Sequence, residues 1–154
     1  MVASVWVLAS EQTNGLTPMI GDDVAEVAAL FAAVFRDDRQ VPLDALESYI
    51  RTVFLERSDF DPVEGSLVYR DVSGRLTAAV LMAPLQLRMH DRPIKARLMC
   101  ALMKCPERGD EGAGRICLAL RPKRQDFCFS DTASSRSLAL TLASGGRIPA
   151  GSVS

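Results

Sequence analysis

The sequence predicts an α+β domain, a mixed and mostly antiparallel sheet flanked by helices. Three observations carry that expectation. Two early stretches, VAEVAALFAAVFR and LDALESYIRTVFLER, repeat apolar residues at helical spacing. Behind them SLVYRD and RLTAAVLMAPLQLRM are strand-like and are separated by Val-Ser-Gly, which is the pattern of a hairpin. An apolar run ending at Lys104 then enters the glycine-bearing turn CPERGDEGAGR, and a short helix, a strand-like DFCFSDTA and a last helix follow.

Taken in order, residues 3–9 read as a short strand or a frayed tail, and residues 15–20 as the first strand proper. Asp22 and Asp23 precede the first helix, where the helix dipole favours carboxylates. Val24, Val27, Leu30, Phe31, Val34 and Phe35 mark its buried face, and Asp37, Asp38 and Pro42 break it. Leu43, Leu46, Ile50, Val53 and Phe54 share one side of the second helix, and a polar loop containing Asp-Pro fills residues 58–65. In the hairpin the second strand is long, and Pro84 inside it predicts a bend or bulge. His90-Asp91-Arg92-Pro93 makes the next turn, and residues 95–104 form a buried strand. The helix after Gly114 ends by Pro122, residues 127–130 form a compact strand, and Gly145-Gly146 ends a helix over 134–143. The expected organisation is a tail or short strand at 1–15, one domain at 16–146, and a small polar tail, disordered, at 147–154.

A chain of 154 residues has room for one domain with a real core, and 48% hydrophobic with 24% charged residues is an ordinary soluble balance. The net charge of −1 gives no reason to expect nucleic acid or an acidic membrane as partner. Arg121, Lys123 and Arg124 read as a solvated turn. No apolar run approaches the ~20 residues that span a bilayer. MVASVWVLAS lacks a leading Lys or Arg and is short for a signal-peptide core, so a cytoplasmic location is expected. Cys100, Cys105, Cys117 and Cys128 lie outside CxxC spacing and His90 is remote from them, which points to reduced, mostly buried thiols and no metal.

The glycine-bearing turn is where the chemistry concentrates. Bare N–H groups at a helix N-terminus favour phosphate oxygens, and Gly112, Ala113 and Gly114 leave room for close approach. The same residues suit an ordinary tight turn. The segment resembles the acetyl-CoA signature of the GCN5-related N-acetyltransferases, Arg/Gln-x-x-Gly-x-Gly/Ala, and the element order over residues 16–146 is similar to that family's. Two departures stand out. From Arg108 the spacing is one residue longer than the family's, and counting back from Gly114 places Gly109 where the basic residue belongs. The family closes its sheet with two further strands, for which about ten residues remain here, so the expected fold is acyl-CoA N-acyltransferase-like without the last strands and suggests a truncated chain or part of a longer one.

The resemblance implies acetyl-CoA as co-substrate and an amine as acceptor. It places the pantetheine arm against the backbone of Met103, Lys104 and Cys105, and the pyrophosphate on amides from Gly109 to Gly114, with Arg108 as cationic partner. It also puts Ser130 and Asp131 near the cofactor, although Asp131 and Ser134 equally suit a helix N-cap. No catalytic residue is assigned: Glu47, Glu56, Asp59, Glu64 and Tyr69 are candidate bases that spacing does not separate, and no tyrosine follows Tyr69 to serve as the family's acid. Three readings stay open: an acetyltransferase, a degenerate acetyltransferase-like binding module without turnover, and a nucleotide-binding protein using Gly112-x-Gly114, for which the third glycine is missing. The strand at 127–130 would be an exposed edge on which a homodimer could form.

Overall fold

In a computed structural model the described residues are 15–36, 42–120, 126–130 and 134–148. The expectations for residues 3–9, for Asp37 and Asp38, for Arg121, Lys123 and Arg124, for Asp131 and for the end of the tail fall outside them. The elements are β1 (Leu16–Pro18), a 3-10 turn (Gly21–Asp23), α1 (Val24–Phe35), α2 (Leu43–Phe54), β2 (Leu67–Arg70), β3 (Leu76–Met89), β4 (Arg92–Lys104), α3 (Glu111–Ala119), β5 (Phe127–Phe129) and α4 (Ser135–Ala143). The five strands lie in the order β1-β2-β3-β4-β5. Every pairing is antiparallel except β4 with β5, which is parallel and has α3 as its crossover. Among the described residues β1 and β5 are the two edge strands.

The sheet is covered on both faces, which explains the unbroken apolar run of β3. Ala79, Leu81 and Ala83 join Val27, Ile50 and Val68 under α1 and α2, whereas Ala78, Val80 and Met82 meet Ile116 of α3 and Leu120 at its end. Each fully buried aliphatic side chain, such as Ile50 or Val27, contributes about 1.5–3 kcal/mol. The helix faces follow the apolar spacing except at their ends, because Phe35 and Leu43 are exposed. Phe35 instead packs its ring on Phe31 at 4.9 Å.

Asp23 does more than sit near a helix dipole. Its Oδ2 accepts from the Ile20 N–H at 2.9 Å, and its Oδ1 takes a hydrogen bond from Arg70 at 2.8 Å. Arg70 also reaches Glu26 at 2.8 Å, so β2 is tied to the start of α1.

One turn and one strand pairing differ from expectation. The β3–β4 hairpin closes in only two residues, His90 and Asp91, with φ of 48° and 62°, and Arg92 and Pro93 already belong to β4. Positive φ at both positions is the I′ geometry that matches strand twist. The irregularity in the β3–β4 pairing is not at Pro84, which pairs in register with Arg97. It is a bulge on β4: Leu81 faces Ala101 and Met82 faces Met99, so Cys100 is the extra residue. The bulge moves the strand's faces by one position. Leu98 lies on the α1/α2 side and Met99 on the α3 side, but beyond Cys100 it is Ala101 and Met103 that face α1 and α2.

The β2–β3 turn is organised by Asp71. Its carboxylate accepts from the N–H of Ser73 and Arg75, at 2.9 and 3.1 Å, and from the Ser73 hydroxyl. The Ser73 hydroxyl, and then the backbone donors, hold this carboxyl below the usual carboxylate range. A carboxyl depressed in the folded state stabilises above its unfolded pKa of about 3.9, and that contribution is lost as pH falls through the folded value. An Asp71→Ala variant is therefore expected to show a lower urea midpoint than wild type at pH 6. The gap should close as the pH drops below about 4; a gap that stays constant across that range would mean the carboxylate charge does not act.

Candidate functional site

The site begins where β4 and β5 stop pairing. Their register covers Ala96 with Phe127, Arg97 with Cys128 and Leu98 with Phe129. Past Leu98 and the Cys100 bulge, residues 99–104 of β4 keep β3 on one side and have no paired strand on the other among the described residues. Beyond Lys104 the chain turns through 105–110 into α3, whose first N–H groups have no partner within the helix. An edge of β4 that no described strand pairs thus runs toward a helix N-terminus.

The turn is held internally. Cys105 N–H donates to Thr77 O at 2.8 Å, and Arg108 N–H to Cys105 O at 3.0 Å. Lys104 Nζ donates to the Arg108 carbonyl at 2.8 Å and lies 3.2 Å from Asp110 Oδ1, so this lysine organises the turn. The Arg108 guanidinium is half exposed and reaches Asp71 at 3.9 Å. Met103 points into the α1/α2 core at 1% exposure, leaving only its backbone for any ligand.

The glycines do not occupy a loop before the helix, as the sequence suggested. Gly112, Ala113 and Gly114 lie in the first turn of α3, where Gly114 N–H donates to Asp110 O at 2.8 Å. They also differ from one another. A Cβ on Gly112 would stand 2.6 Å from Tyr69 Cδ1 and 3.0 Å from Ala78 Cβ, so its smallness serves the contact between helix and sheet. Ala113 is buried as well. A Cβ on Gly109 or Gly114 would meet nothing within 4 Å, and these two positions face open space. The predicted residues therefore split into a packing pair and an open pair.

Charge at the helix start is mixed. Asp110 and Glu111 stand at the N-terminus of α3, and Arg115 reaches Glu111 at 3.2 Å. Tyr69 is buried against this turn, and burial, then its hydrogen bond to Glu111, pushes the phenol above its ordinary range.

A cavity of about 390 Å³ opens beside the point where the strands part. Met99 of β4, Cys117 and Leu120 of α3 and its end, Cys128 and Phe129 of β5, and the C-terminal end of α4 line it, and it opens to solvent. That end is a Schellman closure: Gly146 N–H donates to Thr141 O at 2.8 Å and Gly145 N–H to Leu142 O at 3.0 Å, with Gly145 at φ 98°. Burial pushes the thiols of Cys117 and Cys128 up, so both are protonated near neutrality. Ser130 lines the cavity.

None of the candidate bases lines this space. Asp59 is exposed and locked to Arg57 at 2.7 and 2.8 Å, and that partner holds its carboxyl low. Glu64 is 3.2 Å from Arg97 in an almost fully buried ion pair. Sequence reading passed over Arg97, although a lone arginine inside an apolar strand was a usable signal. It also passed over the cavity, whose walls come from four separate elements. Among the described residues no group of three His, Cys, Asp or Glu side chains is placed to hold a metal ion, and no helix is long and apolar enough to cross a membrane.

No family sequence model and no curated protein sequence matches this chain. Solved structures do. A candidate acetyltransferase from Agrobacterium tumefaciens superposes with a TM-score of 0.69 at 10% identity, covering 90% of this chain and 96% of that one. The aminoglycoside 6'-N-acetyltransferase of Acinetobacter baumannii gives 0.62 at 15% identity, covering 90% and 94%. An acetyltransferase of Trypanosoma brucei gives 0.59 at 14% identity, covering 90% and 96%. With the parted parallel strands and the β4–α3 turn, these superpositions establish that the chain has the acyl-CoA N-acyltransferase fold of the GCN5-related N-acetyltransferases.

Proposed function

We propose that residues 16–146 form an acetyl-CoA-dependent N-acetyltransferase domain. The observation that carries this reading is the parting of β4 from β5 after Leu98, which leaves a strand edge leading to the start of α3. In this reading the backbone of Met103, Lys104 and Cys105 meets the pantetheine arm. The pyrophosphate lies near Gly109 and Gly114, whose outer sides are open, with Arg108 at the rim. Gly112 and Ala113 act from beneath by letting α3 sit close to the sheet. The acceptor amine attacks the thioester carbonyl carbon, the C–S bond breaks, coenzyme A leaves as the thiol, and the nitrogen gives up a proton. The strand edge supplies orientation, which is a large share of such a reaction's acceleration. The soluble, cytoplasmic setting and a homodimer through the outer edge of β5, where Phe127 and Phe129 stack at 5.5 Å, belong to the same proposal.

One observation favours the second reading, a binding module without turnover. Asp110 and Glu111 put two carboxylates at the helix N-terminus where phosphate oxygens would lie. Calorimetric titration with acetyl-CoA, with NAD as control, separates the readings. Saturable binding of acetyl-CoA alone, followed by acetylated amine in a mass-spectrometric acceptor screen, is the expected result. Binding without product supports the module. A folded protein that binds neither nucleotide would end both readings.

A further inference from the structure

Resting on the acyltransfer reading above and extending its donor beyond acetyl, we infer that the site also takes thioesters of medium-length hydrocarbon chains, and that the cavity beside Met99 receives the chain. The cavity touches β4 only at Met99, where β5 has stopped pairing, and does not extend along 101–104 where the pantetheine arm would lie. A thioester held at that point therefore has the cavity directly ahead of it. Size and chemistry agree. About 390 Å³ is well over twice the ~150 Å³ known to hold one six-carbon ring in a dry protein cavity. An acetyl group would leave most of it empty.

Among the described residues the walls are thiol, thioether, alkyl, aromatic ring, hydroxyl and glycine backbone, with no Asp, Glu, Lys or Arg among them. Such a lining suits neither an ammonium acceptor nor a phosphate, both of which need charged partners. It suits alkyl. The protonated Cys117 and Cys128 behave as small hydrophobes on facing walls from α3 and β5.

The test titrates the full chain with acetyl-, hexanoyl- and octanoyl-CoA in parallel, with free octanoate as control. Each buried methylene tightens binding roughly fourfold, and ordering the chain takes back part of this. Octanoyl-CoA is thus expected to bind at least about tenfold tighter than acetyl-CoA. Cys117→Phe and, independently, Cys128→Phe fill the cavity from different walls. In either variant that keeps a cooperative thermal melt, the octanoyl-to-acetyl ratio should fall toward one. Equal affinity for all three thioesters in wild type, or an unchanged ratio in both filled variants, would overturn the inference and leave the acyltransferase reading standing. Failure of every thioester to bind would overturn the acyltransferase reading itself, and this inference with it.

Discussion

Gly112→Val is expected to destabilise the protein by about 3 kcal/mol or more, and Gly112→Ala by about 1–3 kcal/mol. Gly114→Ala, two positions on in the same helix, should stabilise it by up to about 1 kcal/mol. Both positions gain the same intrinsic preference of alanine over glycine in a helix, so the contrast isolates packing. At Gly112 the new Cβ meets the buried Tyr69 ring at 2.6 Å and Ala78 at 3.0 Å, and neither is the free end of a flexible side chain. At Gly114 it meets nothing within 4 Å. Urea unfolding with a constant m value reads both effects. The pair also tests the cofactor proposal. A Gly114→Ala protein that is more stable yet binds acetyl-CoA several-fold more weakly would support a ligand passing close to Gly114. Unchanged affinity would remove Gly114 from the proposed cradle.

That contrast shows what sequence could and could not resolve. Both glycines belong to one short motif, and in one dimension they are equivalent. Their difference depends on Tyr69, a residue in β2 that reaches α3 only because β2 and β3 pair beneath the helix. The helices were legible because burial imposes a 3.6-residue period, and Val24, Val27 and Ile50 obey it. β3 was legible as a strand because both its faces are covered, which calls for a continuous apolar run. The Cys100 bulge was not legible. It is a property of two strands in register, and Pro84 drew attention to the wrong place because a proline at a non-bonding position does not interrupt pairing. The His90-Asp91 turn lacked the Asn-Gly signature of its type, so its tightness was hidden as well. The cavity was invisible for a further reason. No single segment has its shape, and its residues read individually as core cysteines and a helix cap.

The largest single loss is expected at Arg97. Its Nε lies 3.2 Å from Glu64 Oε2, its NH1 donates to the Glu64 carbonyl at 2.9 Å, and the two side chains are 4% and 11% exposed. Arg97→Met removes this cation from beside a buried carboxylate, a change that costs about 3–5 kcal/mol. Replacing both partners by apolar residues of similar volume removes two desolvation penalties along with the attraction, so Arg97→Met combined with Glu64→Leu should recover most of that loss. A double-mutant cycle in urea gives the coupling directly, and purely additive losses would show that the pair acts through packing alone. The location carries the functional weight. Arg97 pairs with Cys128 one position before β4 and β5 part, and it grips the 58–65 loop on the other side. Arg97 is also the cation that draws the Cys128 thiol down against the effect of burial. The Arg97→Met protein, studied at low temperature where it is folded, should therefore alkylate at Cys128 more slowly than wild type at a given alkaline pH. A Cys128 rate that is unchanged while stability falls would separate the two roles, leaving Arg97 a fastener of the loop with no influence on the wall of the cavity.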